Sequence, residues 1–185
     1  MSDLIQTLRG CAALFERLQV PYAIMGGWAV RMYGLPRPTY DVDFTVALER
    51  ERLPELYDGA TEMGFTVPEQ FVAGWVDTVA GMPLVKFRLY LIDRGIDIDV
   101  FLAESEYQQE LMRRRRPHDL DGQRVWFVSP EDLVLLKVLA ARPRDIGDVE
   151  DVLLAQSELD EAYMRRWAKE LGVADKLDQV LAERH

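Results

Sequence analysis

Residues 24–44 read IMGGWAVRMYGLPRPTYDVDF, and the reading of this stretch decides the fold. A short apolar run, Tyr22 to Met25, ends in Gly26-Gly27, as a buried strand does when it finishes in a tight turn. Trp28 to Tyr33 can form a short helix closed by Gly34, and Pro36 and Pro38 forbid regular structure until Tyr40. Beyond them Val42, Phe44 and Val46 alternate with Asp41, Asp43 and Thr45, the period-2 signature of a strand with one apolar and one polar face. Both aspartates therefore point the same way.

Working outward, Leu4, Leu8, Cys11, Phe15 and Leu18 recur at spacings of four and three, the period of an amphipathic helix that Pro21 stops. A helix is expected across Leu53, Leu56, Tyr57, Ala60 and Met63, ending near Gly64. Leu84 to Leu91 alternates as a strand, and Ile96 to Phe101 is another, with Asp97, Asp99 and Phe101 opposite Ile96, Ile98 and Val100. Val125 to Val128 reads as a last strand. Ser129-Pro130-Glu131-Asp132 then starts a helix: Ser as N-cap, Pro at the first helical position, an acid three after the cap. That helix runs to about Ala141, where Arg142-Pro143 breaks it, and further helices cover roughly residues 146–156, 159–171 and 173–184. The order predicts an α+β fold, a mixed β-sheet flanked by helices with a C-terminal helical region. Residues 1–128 would form the α/β core and 129–185 the helical region packed on it, in a single compact unit.

A chain of 185 residues and 21.3 kDa suits one such unit, and 49% hydrophobic with 29% charged residues excludes a disordered chain. No run of about 18 apolar residues and no secretory pattern is present, so a cytoplasmic protein with no membrane partner is expected. Cys11, the only cysteine, excludes a disulfide within the chain and any multi-cysteine metal site, and reads as a core residue. A net charge of −10 argues against broad attraction to nucleic-acid phosphates, and duplex DNA is not an expected partner. Arg113 to Arg116, followed by Pro117 and His118, is the one basic tract: a solvated helix end complementing the macrodipole, or a local contact for an anion or RNA. His118 and His185 have no partners at metal-ligand spacing, and no Ser-His-Asp grouping, P-loop or Rossmann fingerprint occurs.

Three carboxylates on one face of neighbouring strands repel one another unless a cation sits between them. Asp41, Asp43 and Asp99 form such a set, with Asp97 as the reserve for the third position. Carboxylate oxygens suit Mg²⁺ or Mn²⁺, and Mg²⁺ is commonly held by a few carboxylates together with substrate phosphates. A bare Asp-x-Asp reads first as the wet face of an edge strand. The glycines shift that balance, because a strand ending in Gly-Gly and opening a helix turns free backbone N–H groups toward a nearby anion.

Gly26-Gly27, then Asp41-Val42-Asp43-Phe44, then an acidic residue on a later strand, resembles the DNA polymerase β-like nucleotidyltransferase superfamily, and Arg37-Pro38-Thr39 resembles the Arg-x-Thr that often precedes its acidic pair. Pro130-Glu131-Asp132-Leu133, Lys137, Arg144-Asp145 and Asp148 are similar to a segment of the small members grouped with the AbiEii/AbiGii toxins. The matching segments span roughly residues 20–155. The resemblance implies a nucleoside triphosphate bound with two divalent ions, its phosphates near Gly26 and Gly27, and with Arg37 and Thr39 at the nucleotide. Asp41 and Asp43 would bridge the metals, and Asp99 would bind the second and help activate an acceptor hydroxyl. A nucleoside monophosphate would then pass to RNA, protein or a small molecule, and pyrophosphate would leave. It also implies a toxin–antitoxin component with a cognate partner protein.

Several residues keep two readings. Lys137 and Arg144 suit the triphosphate's charge or helix-surface ion pairs. Asp145 and Asp148 fit helix capping, or Asp148 a base or an orienting group for Lys137. Lys86 and Arg88 are strand residues that reach phosphates or solvent, and Trp28, Tyr33 and Phe44 are core and pocket wall. Gly27 stands where many active members carry Ser, which favours the alternative of a non-catalytic relative serving as a binding or regulatory protein.

Overall fold

The computed structural model describes residues 2–92 and 94–182. Its strands are β1 (Tyr22–Met25), β2 (Asp41–Val46), β3 (Asp77–Val79), β4 (Met82–Tyr90), β5 (Gly95–Leu102), β6 (Arg116–Leu120) and β7 (Gln123–Phe127). They form one mixed sheet in the order β3-β4-β5-β2-β1-β7-β6. β2 runs antiparallel to β1 and parallel to β5, and β1 runs parallel to β7. The helices are α1 (Ser2–Arg17), α2 (Gly26–Tyr33), α3 (Leu53–Glu62), α4 (Glu69–Val72), α5 (Glu106–Arg114), α6 (Pro130–Ala140), α7 (Pro143–Ala155), α8 (Glu161–Glu170) and α9 (Ala174–Ala182). This is the mixed sheet flanked by helices, with helices at the C-terminal end, that the sequence predicts.

The alternation in β2 separates core from site. Val42, Phe44 and Val46 are fully buried, and Phe44 meets Phe15 of α1 edge-on at 5.0 Å, with Tyr22 6.1 Å away. Truncating so completely buried a ring to Ala costs about 3–5 kcal/mol. Asp41 and Asp43 take the opposite face, where α2 packs with α6 against it.

α6 is buried on all sides, so each charge it carries needs a partner inside the protein. Ser129 caps it, accepting from Asp132 N–H (3.1 Å) and donating to Asp132 Oδ2 (2.6 Å), while Tyr163 donates to Asp132 Oδ1 (2.6 Å). Glu131 pairs with Arg114 (3.2 Å) and Arg116 (3.4 Å). Glu131 and Asp132 thus tie α6 to α8 and to the 114–116 segment. The basic tract is largely absorbed by the fold: Arg114 stacks over Tyr163 at 3.8 Å, Arg115 lies over Trp126 at 4.8 Å and donates to the Met112 carbonyl, and Arg113 pairs with Glu110. Among the described residues no helix is long and apolar enough to cross a membrane.

The structure adds elements that the periodicity does not show. β6 begins at the last arginine of the basic tract; Pro117 is tolerated because β6 is an edge strand, and the two-residue turn Asp121-Gly122, both at positive φ (51° and 81°), closes the hairpin with β7. β3 pairs with β4 through a similar turn at Ala80-Gly81 (50° and 77°). α5 begins with a capping box between Ser105 and Gln108. α7 starts at Pro143, three residues before the expected 146, because Pro at the first helical position opens a helix as readily as it ends the preceding one.

Candidate active site

The site is built where β1 ends. In the β1–β2–β5 register Met25 faces Asp43 and Asp43 faces Asp99, and one step back Asp41 faces Asp97. Residues directly opposite across strands share a face, so all four aspartates project to the same side. The two outer pairs differ in what they meet. Asp97 is bound by Arg88 of β4 (2.7 Å) and does not line the cleft, whereas Asp99 does and, among the described residues, has only the half-exposed Lys86 as a cation partner, at 3.8 Å. Asp99 therefore stands closer to the cleft chemistry than Asp97.

The glycine pair lets the acids sit against the start of α2. Gly26 has φ +61°, and a Cβ there would fall 1.8 Å from Asp43 Oδ2, so glycine is required both by conformation and by contact. A Cβ on Gly27 would fall 2.5 Å from Thr39 Oγ1. The N-cap residue, Met25, supplies no side-chain acceptor, so the first N–H groups of α2 are not consumed by a cap. Gly26, Gly27, Asp41, Asp43 and Asp99 all border one cleft of about 260 Å³.

Cations from the loop before β2 and from α6 and α7 close the other side. Arg37, Lys137, Arg142 and Arg144 line the cleft. Lys137 is buried and pairs with Asp145 (2.9 Å) and Asp148 (2.7 Å), and Arg37 grips Asp148 with Nε and Nη2, the latter at 2.7 Å. Arg142 donates to Asp145 from Nε (2.6 Å) and from its backbone N–H (3.3 Å). Lys137 and Arg37 are thus held in internal ion pairs, with Asp148 orienting both. Arg144 differs: it donates to the Pro38 carbonyl (2.9 Å) and has no carboxylate partner among the described residues. Thr39 lies beside the cleft rather than on its wall and donates to Asp41 Oδ1 at 2.8 Å.

Arg142 is the contributor that sequence reading missed, having been taken with Pro143 as a helix break. The signal was present in Arg142-Pro143-Arg144-Asp145, an N-terminal helix box that puts two guanidinium groups at one helix start. Val79, Ala80, Met82 and Phe101 form the remaining flank, an apolar one.

The electrostatics are unbalanced in one place. Burial, followed by the charges of Asp41 and Asp99, pushes the Asp43 carboxyl up to about 7 against the more distant pull of Lys137 and Arg142. Burial also raises Asp99, with Lys86 opposing and Asp41, Asp97 and Asp77 adding to the rise. Asp145 and Asp148 behave oppositely: burial would raise both, but hydrogen bonds from Arg142 and Lys137 on one, and Arg37 and Lys137 on the other, hold them below the usual carboxylate range. No hydrogen bond or ion pair reaches the Asp43 carboxylate among the described residues.

A family model described as "Nucleotidyltransferase of unknown function (DUF6036)" matches residues 2–178. The chain belongs to this nucleotidyltransferase family. As a DUF6036 protein it is similar in fold to an antigenic nucleotidyltransferase-like protein from Paracoccidioides brasiliensis, with a TM-score of 0.59, 18% identity, and coverage of 98% of this chain and 93% of that one. It is similar also to the antibiotic-resistance factor ANT(2″)-Ia, with a TM-score of 0.58, 19% identity, and coverage of 100% and 97%. The complex of ANT(2″)-Ia with adenylyl-2″-tobramycin gives 0.57, 19%, and coverage of 91% and 97%. At these identities the likeness is one of fold. No curated protein matches the DUF6036 chain.

Proposed function

We propose that this protein is a Mg²⁺- or Mn²⁺-dependent nucleotidyltransferase that moves a nucleoside monophosphate from a nucleoside triphosphate to an acceptor hydroxyl. The observation that carries the reading is Asp43: a carboxylate set against Gly26, between Asp41 and Asp99, with no ion pair from any of the described residues. Such a group is costly unless it is protonated or joined by a cation. The donor set is all carboxylate oxygen, which fits Mg²⁺ or Mn²⁺. Among the described residues no three acidic, histidine or cysteine side chains stand close enough to hold a metal ion by themselves, and Asp41, Asp43 and Asp99 would hold it together with the nucleotide's phosphate oxygens. When bound, divalent ions supply charge neutralisation at the attacking and leaving oxygens.

The chain's own groups would do the rest. Gly26 and Gly27, at the uncapped start of α2, would cradle phosphate oxygens with backbone N–H groups. Arg144, with no carboxylate partner among the described residues, would bind the triphosphate as a fork, while Lys137 and Arg37 would supply positive field from fixed positions. The acceptor oxygen would form a bond to the α-phosphorus as the bond to the bridging oxygen breaks. Its proton would pass to Asp99, which lines the same cleft, and pyrophosphate would depart.

Val79, Ala80, Met82 and Phe101 give the cleft an apolar stretch of wall, with Lys86 beside Asp99 as the cation next to it, and that stretch favours an acceptor with an uncharged body around its attacking hydroxyl. A small-molecule hydroxyl, as the adenylyl-tobramycin complex of a like fold suggests, is thus the first acceptor to test, ahead of protein and RNA. The resemblance of residues 130–148 to AbiEii/AbiGii proteins extends the proposal to a cytoplasmic toxin–antitoxin setting with a cognate partner. The test is incubation with each α-³²P-labelled triphosphate, Mg²⁺, and separate small-molecule, protein and RNA fractions. Label entering one fraction with wild type and not with Asp43→Asn supports the reading; no transfer and no triphosphate binding by wild type would end it.

A further inference from the structure

Two positions on opposite sides of the Arg37–Thr39 loop compete for one small volume. Thr39 is only 8% exposed, and its hydroxyl donates to Asp41 Oδ1 at 2.8 Å. The same hydroxyl lies 2.5 Å, and the Thr39 Cβ 2.9 Å, from the point where a Cβ of residue 27 would be; Arg37 Nη1 is 3.5 Å from it. Non-bonded carbons and oxygens do not approach so closely, so side chains at 27 and 39 exclude each other. The volume beside the first turn of α2 is filled from the loop instead of from the helix.

We infer that Thr39 is a positioning residue for Asp41, and that its side chain is what requires glycine at position 27. The inference rests on the proposed cation site and deepens it. Asp41 is otherwise an exposed carboxylate at the first position of β2, without an ion pair of its own among the described residues, and its side chain would sample several rotamers. One hydrogen bond from a buried, β-branched and therefore stiff residue selects the rotamer before a cation arrives. Gly27 then ceases to mark a lost hydroxyl. A serine at 27 would collide with Thr39 and turn it off Asp41, so a hydroxyl gained on the helix would cost the one that orients the acid.

The experiment uses the full chain with Mn²⁺ alone as probe, bound ion being counted by the electron-paramagnetic signal of free Mn²⁺, alongside metal-free urea unfolding. Thr39→Val keeps the shape and deletes the donor; it is expected to weaken Mn²⁺ binding about tenfold, the worth of one hydrogen bond to a charged group. Thr39→Ser should remain within about twofold of wild type, a rescue that mere space-filling would not give. Gly27→Ser should lower metal-free stability, and adding Thr39→Gly should recover it, so that the two changes are strongly non-additive. Thr39→Val binding Mn²⁺ as wild type does would overturn the positioning role. Additive effects of Gly27→Ser and Thr39→Gly would overturn the shared volume. If wild type binds no Mn²⁺, the cation site and the positioning role fall together, while the Gly27–Thr39 coupling is still read in the metal-free unfolding.

Discussion

Replacing Asp43 by Asn should make the metal-free protein more stable while removing its response to divalent ions. The free carboxyl titrates near 3.8 and the folded one near 7, a rise caused first by burial and then by Asp41 and Asp99. A carboxyl raised on folding stabilises the protein fully below its unfolded pKa, and the contribution is lost as pH climbs through the folded value. The window is therefore pH 4 to 7, and about three units at 1.36 kcal/mol each set a ceiling of about 4 kcal/mol. Relaxation around the cleft brings the expected penalty at pH 8 to about 2–3 kcal/mol. Asn carries no charge and escapes it. Urea unfolding in EDTA at pH 5 and pH 8 measures this: wild type should lose stability between the two and Asp43→Asn should not. At pH 8, 10 mM Mg²⁺ with triphosphate should stabilise wild type and leave the variant unmoved. A variant no more stable than wild type at pH 8 in EDTA would refute the claim that Asp43 is an uncompensated charge.

Three further outcomes follow from the same geometry. Gly26→Ala meets both a positive φ and the Asp43 carboxylate, so it should destabilise by about 1–2 kcal/mol from the backbone alone and abolish triphosphate binding, read by unfolding and by calorimetric titration. Asp148→Asn weakens the carboxylate grip on Arg37 while Lys137 keeps Asp145, and should cost about 1.5–3 kcal/mol in urea, the worth of hydrogen bonds to a charged group. Because Asp145 and Asp148 are held low, their contribution is present above about pH 4 and disappears as pH falls further, an acid limb that Asp148→Asn should flatten. Arg144→Ala should leave the unfolding midpoint unchanged and weaken triphosphate binding about tenfold, since among the described residues Arg144 has only a carbonyl as its acceptor.

The centre of the fold was legible because its signals are local. The strand ending at Gly26-Gly27 and the alternation of Asp41, Val42, Asp43 and Phe44 each depend on a few neighbouring residues, and the structure keeps both. β6 was hidden because Arg116-Pro117-His118-Asp119-Leu120 alternates nothing apolar and contains a proline; only the Asp121-Gly122 turn betrays it. Asp97 and Asp99 were inseparable by pattern, since they share a face, and what separates them is Arg88 and Lys86 on the neighbouring strand. The pairing of Lys137 with Asp145 and Asp148 was one of two open readings. It depends on the left-handed Ala141 at the α6–α7 corner, which folds α7 back on α6 and which spacing alone does not reveal. Thr39 against Gly27 is a contact across twelve residues and two prolines, and no periodicity encodes it.

The central claim is that Asp41, Asp43 and Asp99 hold a divalent ion against a triphosphate seated at Gly26 and Gly27. The most direct measurement is a crystal structure with Mn²⁺ and a non-hydrolysable ATP analogue, read by the anomalous signal of manganese. The account predicts a peak within coordination distance of those carboxylates, with phosphate oxygens at the N–H groups that open α2. A manganese peak elsewhere, or a nucleotide bound away from Gly26 and Gly27, would contradict it.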